Sequence, residues 1–167
     1  MEVPNHLWKR LKWNYSDGKF YNYTVTDRIH KYNIYSTEFD NEIFMIPETS
    51  AKKRLEVYKC TSFPDKWELY STAFEGQSIV DVNVYKDEQN QNWLFFNKKF
   101  GKKCTNNDEL FIYRFDDLNF NNIESHTQNP VIIDSRKARN AGQIFNYMNN
   151  NFRPSQACMY GIYGYGL

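Results

Sequence analysis

Short stretches in which apolar and polar residues alternate recur along the chain. The clearest covers residues 79–85, which are rich in β-branched side chains. A period of two with this composition predicts a β-strand with two different faces. We expect Ile79, Asp81 and Asn83 on one face and Val80, Val82 and Val84 on the other. A carboxylate in mid-strand is costly unless it is paired, hydrogen-bonded or solvated, so Asp81 stands out.

Strands of the same kind are predicted before and after this stretch, at residues 29–35, 43–46, 55–59, 67–70, 93–96, 110–114, 121–125, 141–147 and 152–154. Corresponding aromatic positions, such as Phe44 and Phe95, are about fifty residues apart, a period typical of repeated β units. Four strands per unit are typical of β-propeller blades. We therefore predict an all-β fold, a partial β-propeller of about three four-stranded blades. The expected units are residues 1–27 as a degenerate first unit, 28–75, 76–128 and an incomplete 129–167.

Two alternatives stay open at this point. Residues 137–148 also fit a helix, because Ala138, Ala141, Phe145 and Met148 share a helical face, although Gly142 weakens that helix. A closed propeller takes four to eight blades. The chain is thus expected to be part of a larger ring, to close by association, or to form an open ring whose bare strand edges favour pairing.

Composition narrows the class of protein. Aromatic residues make up 18% of the chain, which suits strands, and the net charge of +1 gives no overall attraction to nucleic acid. Three cysteines without CxxC spacing predict free thiols, and we expect no metal site and no cofactor. We find no apolar run long enough to span a membrane and no secretion signal. A soluble, cytoplasmic protein is therefore expected.

Glu48 and Asp81 are the best candidate pair for acid–base chemistry. Glycoside hydrolysis needs two carboxyl groups, about 5–5.5 Å apart for retention or about 6.5–9.5 Å apart for inversion. Burial of Glu48 would raise its pKa and suit it to a general acid. Each residue also has a structural interpretation: Glu48 can cap a turn, and Asp81 can pair with an arginine to join neighbouring blades.

Four further side chains are candidates for substrate binding, since they can hydrogen-bond sugar hydroxyls or a carboxylate. They are His30, Arg139, Arg153 and Gln156. Arg139 and Arg153 are also the expected partners of Asp81 in the structural interpretation. For His30, a structural hydrogen bond is the alternative to a role in binding.

An ordered series of short motifs resembles one known domain. The motifs are IPETS at 46–50, FPDKWEL at 63–69, Val80-Asp81, Asn129-Pro130, ARNAG at 138–142, RPSQ at 153–156 and Tyr163-Gly164. The series resembles the five-bladed propeller domain at the N-terminus of plant glucosamine inositolphosphorylceramide transferases, which also occurs in bacterial formyltransferase-like proteins. That domain is similar to glycoside hydrolase family 43. The resemblance covers roughly residues 28–167.

The resemblance implies a glycosidase-like propeller that binds a glycan or glycoconjugate, with catalysis reduced or lost. The family's first-blade Asp-Pro motif does not occur here, and its second-blade motif His-Leu-Ser-Tyr-Pro is HKYNI at 30–34. One alternative is an active hydrolase or glycan-transfer accessory domain that uses Glu48 and Asp81, with a third carboxylate from Asp17 or Asp27. The other is a non-catalytic scaffold that self-associates or binds a partner chain to close the ring.

Overall fold

The computed structural model describes residues 35–39, 42–63, 66–98, 105–160 and 162–167. Within these ranges the chain forms β-strands, one short 3₁₀ turn at Ser50–Lys52 and no α-helix. The predicted all-β class is therefore confirmed. The alternative helix over residues 137–148 is not formed, since two short strands occupy part of that segment.

The strands form consecutive antiparallel sheets. The first sheet contains, in order, β1 (Tyr35–Phe39), β2 (Glu42–Ile46), β3 (Leu55–Ser62) and β4 (Lys66–Ala73). The second contains β5 (Ile79–Lys86), β6 (Asn92–Lys98), β7 (Glu109–Phe115) and β8 (Ile123–Ser125), and β9 (Ile132–Ile133) also pairs with β7. The third contains β10 (Arg139–Asn140), β13 (Ser155–Met159) and β14 (Ile162–Gly166). A separate hairpin pairs β11 (Phe145–Tyr147) with β12 (Asn150–Phe152).

The first strands of the three sheets are neighbours: β1 contacts β5, and β5 contacts β10. Consecutive antiparallel sheets in this order are consistent with a partial propeller, and no closed barrel is present in the described ranges. The division into units at residues 27, 75 and 128 stays a prediction.

The apolar core lies between the first and second sheets. Its side chains come from alternate positions of β2, β3, β6 and β7, as expected for strands that bury one face. The buried members are Phe44, Ile46, Leu55, Val57, Ile79, Leu94, Phe96, Phe111, Phe115, Leu118 and Phe120. Phe96 lies at its centre and stacks on Phe111 and Tyr113, with ring centroids 6.0 and 5.3 Å away. This interface is thus stabilised mainly by burial of apolar surface.

The strict alternation predicted for residues 79–85 is wrong at one point. Val80 pairs with Asn97 and Asn83 pairs with Phe95, so β5 has one more residue than β6 between these pairs. Such an insertion is a β-bulge. As a result, Ile79 and Val82 both pack on the apolar core, although they are three residues apart. Ile79 and Asn83 therefore do not share a face.

The region after residue 140 differs from the predicted strands. Only residues 145–147 of the expected strand at 141–147 are in β11, and the following turn is centred on Met148 and Asn149 rather than on residues 149–151. Both turn residues have left-handed backbone angles, as a tight two-residue hairpin requires. The sequence alone does not locate this turn, because asparagine is frequent on both sides of it.

Two smaller expectations concern cysteines and membrane spans. Cys60 and Cys158 are free thiols, as predicted, and Cys104 lies outside the described residues. In the described part of the chain, no helix has the length and apolar character needed to cross a bilayer.

The apolar core predicts a large effect of truncating Phe96. Phe96→Ala removes a fully buried ring, so we expect the free energy of unfolding to fall by about 3–5 kcal/mol. Phe63→Ala is the matched control, because Phe63 is exposed and should change stability by less than about 0.5 kcal/mol. Urea unfolding followed by tryptophan fluorescence measures both. Equal effects of the two variants would contradict the assigned core.

Candidate functional site

Asp81 is at the bulge of β5, with a left-handed backbone angle φ of 52°. Aspartate is one of the few non-glycine residues that tolerates this conformation, which still costs about 1–3 kcal/mol. Its side chain is almost completely buried, with 3% of its surface exposed. A bulge is a common means of re-aiming a side chain beside a functional site. Here it places a carboxylate between the second and third sheets.

Arg139 of β10 is the partner of this carboxylate. Its Nε lies 2.5 Å from Oδ2 of Asp81, and the Asp81 side chain is fully buried whereas 13% of the Arg139 side chain is exposed. The Arg139 guanidinium also donates a hydrogen bond from its NH1 group to Oδ1 of Asn107. The pairing of Asp81 with Arg139, one of the two arginines considered from the sequence, is therefore present. It joins the first strands of two neighbouring sheets.

Two buried asparagines surround this ion pair. Nδ2 of Asn97 donates to the carbonyl oxygens of Glu109 and Ala138 at 2.8 and 2.9 Å, and its Oδ1 accepts from the backbone N–H of Asn140 at 2.9 Å. Nδ2 of Asn140 donates in turn to the backbone carbonyl of Asp81 at 2.7 Å. The two amides thus satisfy backbone groups of three strands and hold the bulge in place.

Arg153 reaches the same cluster from the segment after β12. Its NH1 donates to Oδ1 of Asn140 at 3.0 Å, and its NH2 donates to the carbonyl oxygen of Lys137. Among the described residues, its hydrogen-bond acceptors are neutral oxygens and no carboxylate pairs with it. Burial lowers the pKa of this guanidinium from its ordinary value. The cluster therefore contains a positive charge that is not neutralised within the described part of the chain.

Gln156 of β13 lies opposite Arg139 in the third sheet. Its Oε1 is buried and has no hydrogen-bond partner among the described residues. Gly164 leaves room beside it, because a Cβ built on Gly164 would come 3.8 Å from this oxygen. Asp81, Arg139, Arg153 and Gln156, predicted separately from the sequence, therefore belong to one cluster. We call it the polar cluster, together with Asn97 and Asn140.

Glu48 and His30 complete the predicted set. Glu48 follows β2 in the first sheet, is half-buried, and accepts a hydrogen bond from the Ser50 hydroxyl at 3.4 Å. The turn that follows is closed by backbone hydrogen bonds from Lys52 to Thr49 and from Lys53 to Ser50. A catalytic role for Glu48 with Asp81 stays a prediction. His30 lies outside the described residues.

Glu109 is a residue that the sequence analysis missed. It begins β7 and is buried, and its Oε2 has no hydrogen-bond partner in the described ranges. Burial, followed by the nearby charge of Asp108, raises the pKa of this carboxyl. Glu109 lies two residues before Phe111 on β7. This spacing places both side chains on the same face and so predicts that Glu109 is buried. Buried carboxyls with raised pKa values are frequent at functional sites.

A second missed carboxylate, Glu56, is fully buried on β3. It accepts hydrogen bonds from Lys52 at 2.8 Å, Arg54 at 2.7 Å and the Tyr58 hydroxyl at 2.6 Å. Burial alone would raise the pKa of Glu56, but these hydrogen bonds lower it below its ordinary value. Because its acceptors are already used by this chain's own side chains, Glu56 has a structural role. No group of three metal-ligating side chains converges in the described part of the molecule.

Comparison with known proteins identifies the family. The family described as glucosamine inositolphosphorylceramide transferase 1, N-terminal, matches residues 19–167, which is most of the chain. The chain belongs to this family. Its resemblance to the N-terminal domain of these transferases is therefore confirmed.

Individual transferases are similar over the same region. Glucosamine inositolphosphorylceramide transferase 1 of Oryza sativa subsp. indica is 31% identical over 129 residues, which cover 76% of this chain and 17% of the relative. The Arabidopsis thaliana transferase is 27% identical over 122 residues, covering 72% of this chain and 16% of the relative. The chain thus spans about a sixth of the length of these transferases. No solved structure matches it.

The ion pair predicts that substitutions of Asp81 and Arg139 have non-additive effects on the free energy of unfolding. Asp81→Asn retains a side chain that tolerates the bulge but removes the negative charge beside a largely buried guanidinium, so we expect a loss of about 3 kcal/mol in unfolding free energy. Once Asp81 is Asn, Arg139→Gln should cost at least about 1 kcal/mol less than it does alone. Chemical denaturation of the four proteins measures this difference.

The exposed pair of Lys59 and Glu42, 2.7 Å apart, provides the control. Exposed pairs contribute about 0–1 kcal/mol, so Glu42→Gln should have a small effect. Additivity of the Asp81 and Arg139 substitutions would show that the two side chains do not stabilise each other.

Glu109 predicts a pH-dependent stability. Because its pKa is raised in the folded state, folded protein holds this proton more tightly than unfolded chain does, and stability falls as pH rises through the folded pKa. Glu109→Gln should therefore increase stability at neutral pH, with the gain disappearing below about pH 4, where the carboxyl is protonated in both states. Thermal unfolding across this range measures the effect. Glu88→Gln, in an exposed turn, is the control, and a gain that is independent of pH would contradict the assignment.

Proposed function

We propose that the chain binds the headgroup of a glycoconjugate at the polar cluster and acts as a carbohydrate-binding part of a glycan-transfer protein. Its relatives are named for an amino sugar, glucosamine, and a phosphate-linked inositol lipid, inositolphosphorylceramide. Both groups present hydroxyls, and the second presents an anionic phosphodiester. This chemistry fits a cluster of amides and guanidinium groups.

The proposal rests on two groups of the polar cluster. One is a buried oxygen without a hydrogen-bond partner, and the other is a guanidinium without a carboxylate partner among the described residues. Gln156 Oε1 is buried without a partner in the described part of the chain, and the acceptors of Arg153 there are neutral oxygens. Buried polar groups are nearly always satisfied, so an exception calls for an explanation. A hydroxyl donating to Gln156 and an anionic oxygen accepting from Arg153 would provide it. Arg139 and Asp81 then serve as the fixed frame of the site.

Binding is better supported than hydrolysis or a direct part in glycan transfer. The Asp81 carboxylate is already matched to Arg139 at 2.5 Å, so an attacking or proton-accepting role would require that pair to open. The alternative with Glu48 as acid, Asp81 as second carboxylate and a third carboxylate from Asp17 or Asp27 remains a hypothesis. Both of those aspartates lie outside the described residues.

The finer expectations stay predictions as well. They are the glycosidase-like propeller, self-association or a partner chain that closes the ring, and a cytoplasmic location. The scaffold alternative predicts a dimer or larger assembly in solution, whereas the binding function requires only an intact cluster in one chain. Sedimentation of the purified protein separates these two possibilities.

A glycan array tests the proposed function. It should carry inositol phosphate-linked and hexosamine-containing headgroups. We expect the wild type to bind one of these classes and Gln156→Ala to lose most of that signal, because the amide would contact the ligand without stabilising the fold. Gln128→Ala is the matched control, since Gln128 is an exposed glutamine of the second sheet region.

Glu48→Gln separates binding from catalysis. If Glu48 is only a general acid, this variant should bind as the wild type does but fail to hydrolyse a bound glycoside. If the folded wild type binds none of the headgroups on the array, carbohydrate binding by this chain is excluded. Equal losses in the Gln156 and Gln128 variants would exclude the polar cluster as the site.

A further inference from the structure

The hairpin of β11 and β12 carries an exposed apolar face. Phe145 pairs with Phe152, and their rings stack with centroids 5.6 Å apart at 18°. Tyr147 follows on the same face, 6.5 Å from Phe152. Asn146 and Asn151 occupy the opposite face and are joined by a 3.0 Å hydrogen bond between their amides. The hairpin is therefore amphipathic, with three aromatic side chains on one face that are each about half exposed.

Met148 is at the tip of this hairpin, and 75% of its surface is exposed. Its φ of 49° is a left-handed angle that Gly or Asn normally adopts in such a turn. The paired strands contain three residues each and pair with no other described strand. A two-stranded hairpin is marginally stable in water by itself. Exposed apolar residues at the tip of a hairpin that pairs with no other described strand are therefore typical of a surface that contacts another molecule.

The charge around the hairpin is one-sided. Residues 135–167 contain four basic residues, Arg136, Lys137, Arg139 and Arg153, and no Asp or Glu. Asp81 neutralises Arg139, and the Asp134 carboxylate lies 2.9 Å from Arg136 and 4.0 Å from Lys137. Arg153, which directly follows β12, has no carboxylate partner in the described ranges, and it donates to the carbonyl of Lys137. These four basic residues and their two carboxylate partners therefore leave a net positive charge next to the hairpin.

We propose that this hairpin docks on a lipid bilayer whose surface carries anionic phosphate headgroups. Three paired residues and the turn extend about 10 Å, which matches the depth of about 5–10 Å to which interfacial segments enter a membrane. Met148 and the aromatic rings would then lie at the acyl boundary, where aromatic side chains are favoured. Lys137 and Arg153, at the opposite end of the hairpin from Met148, would face the phosphates.

This inference goes beyond glycan recognition and does not require it. Vesicles that contain no glycolipid suffice for the test, so its failure would leave the proposed function untouched. If both hold, Arg153 links them, because it belongs to the polar cluster and also stands at the base of the hairpin. The cluster would then be presented toward headgroups at the membrane surface.

Vesicle co-flotation of the full chain tests the proposal. The probes are phosphatidylcholine vesicles with and without an equal part of phosphatidylserine. We expect the wild type to float with the anionic vesicles and to be released by high salt, since the charge contribution is screened. The double variant Tyr147→Ser/Met148→Ser should lower partitioning by about tenfold, because it removes two apolar side chains from the tip. Lys137→Glu should weaken binding to anionic vesicles alone.

The matched control is Phe63→Ser/Leu69→Ser. It removes two exposed apolar residues, Phe63 directly after β3 and Leu69 of β4, neither of which belongs to the hairpin, and it should float as the wild type does. The proposal is overturned if the wild type binds no vesicles, or if the control variant loses as much binding as the tip variant. It is also overturned if the tip variant instead abolishes a vesicle-independent dimer, which would assign the hairpin to a protein interface.

Discussion

The left-handed conformation of Asp81 is the constraint on which the relation between the second and third sheets depends. It inserts one extra residue into β5, so Val80 shares a face with Asn97 while Val82 and Val84 pack on the apolar core. The conformation costs about 1–3 kcal/mol. The ion pair with Arg139 and the hydrogen bond from Asn140 to the Asp81 carbonyl offset that cost. Both partners come from β10, so the bulge and the third sheet stabilise each other.

The two faces of the second sheet consequently differ in chemistry. One buries aromatic and aliphatic side chains against the first sheet, where stabilisation is roughly proportional to the apolar area removed from water. The other buries Asn97 and Asp81 against Asn140 and Arg139, where every polar group needs a partner in a defined direction. The apolar interface tolerates some variation in side-chain shape, whereas the directional hydrogen bonds of the polar interface fix the position of each side chain. A binding site is more readily built on the second kind.

Membership in the transferase family and the polar cluster support the proposed binding function from different directions. The relatives are named as transferases of a glucosamine-containing lipid, and the chain spans about a sixth of their length. The cluster adds Arg153, whose described partners are neutral, and Gln156, whose Oε1 has no partner in the described ranges. Glu109, at the start of β7, is a further buried carboxyl, and its backbone carbonyl accepts a hydrogen bond from Asn97. These features concern local chemistry, which a shared fold by itself does not convey.

The sequence by itself determined the β class, most strands of the first two sheets, the family and four residues of the polar cluster, Asp81, Arg139, Arg153 and Gln156. Period-two alternation and motif order are local properties, so they can be read directly along the chain. The tertiary structure decided which partner Asp81 has, because residues 81 and 139 meet only when β10 packs beside β5. It also decided the bulge, which shifts the predicted faces of residues 79–85, and the burial of Glu56 and Glu109. Backbone conformation and the burial of a charge depend on neighbours that are distant in sequence, and a local pattern does not contain them.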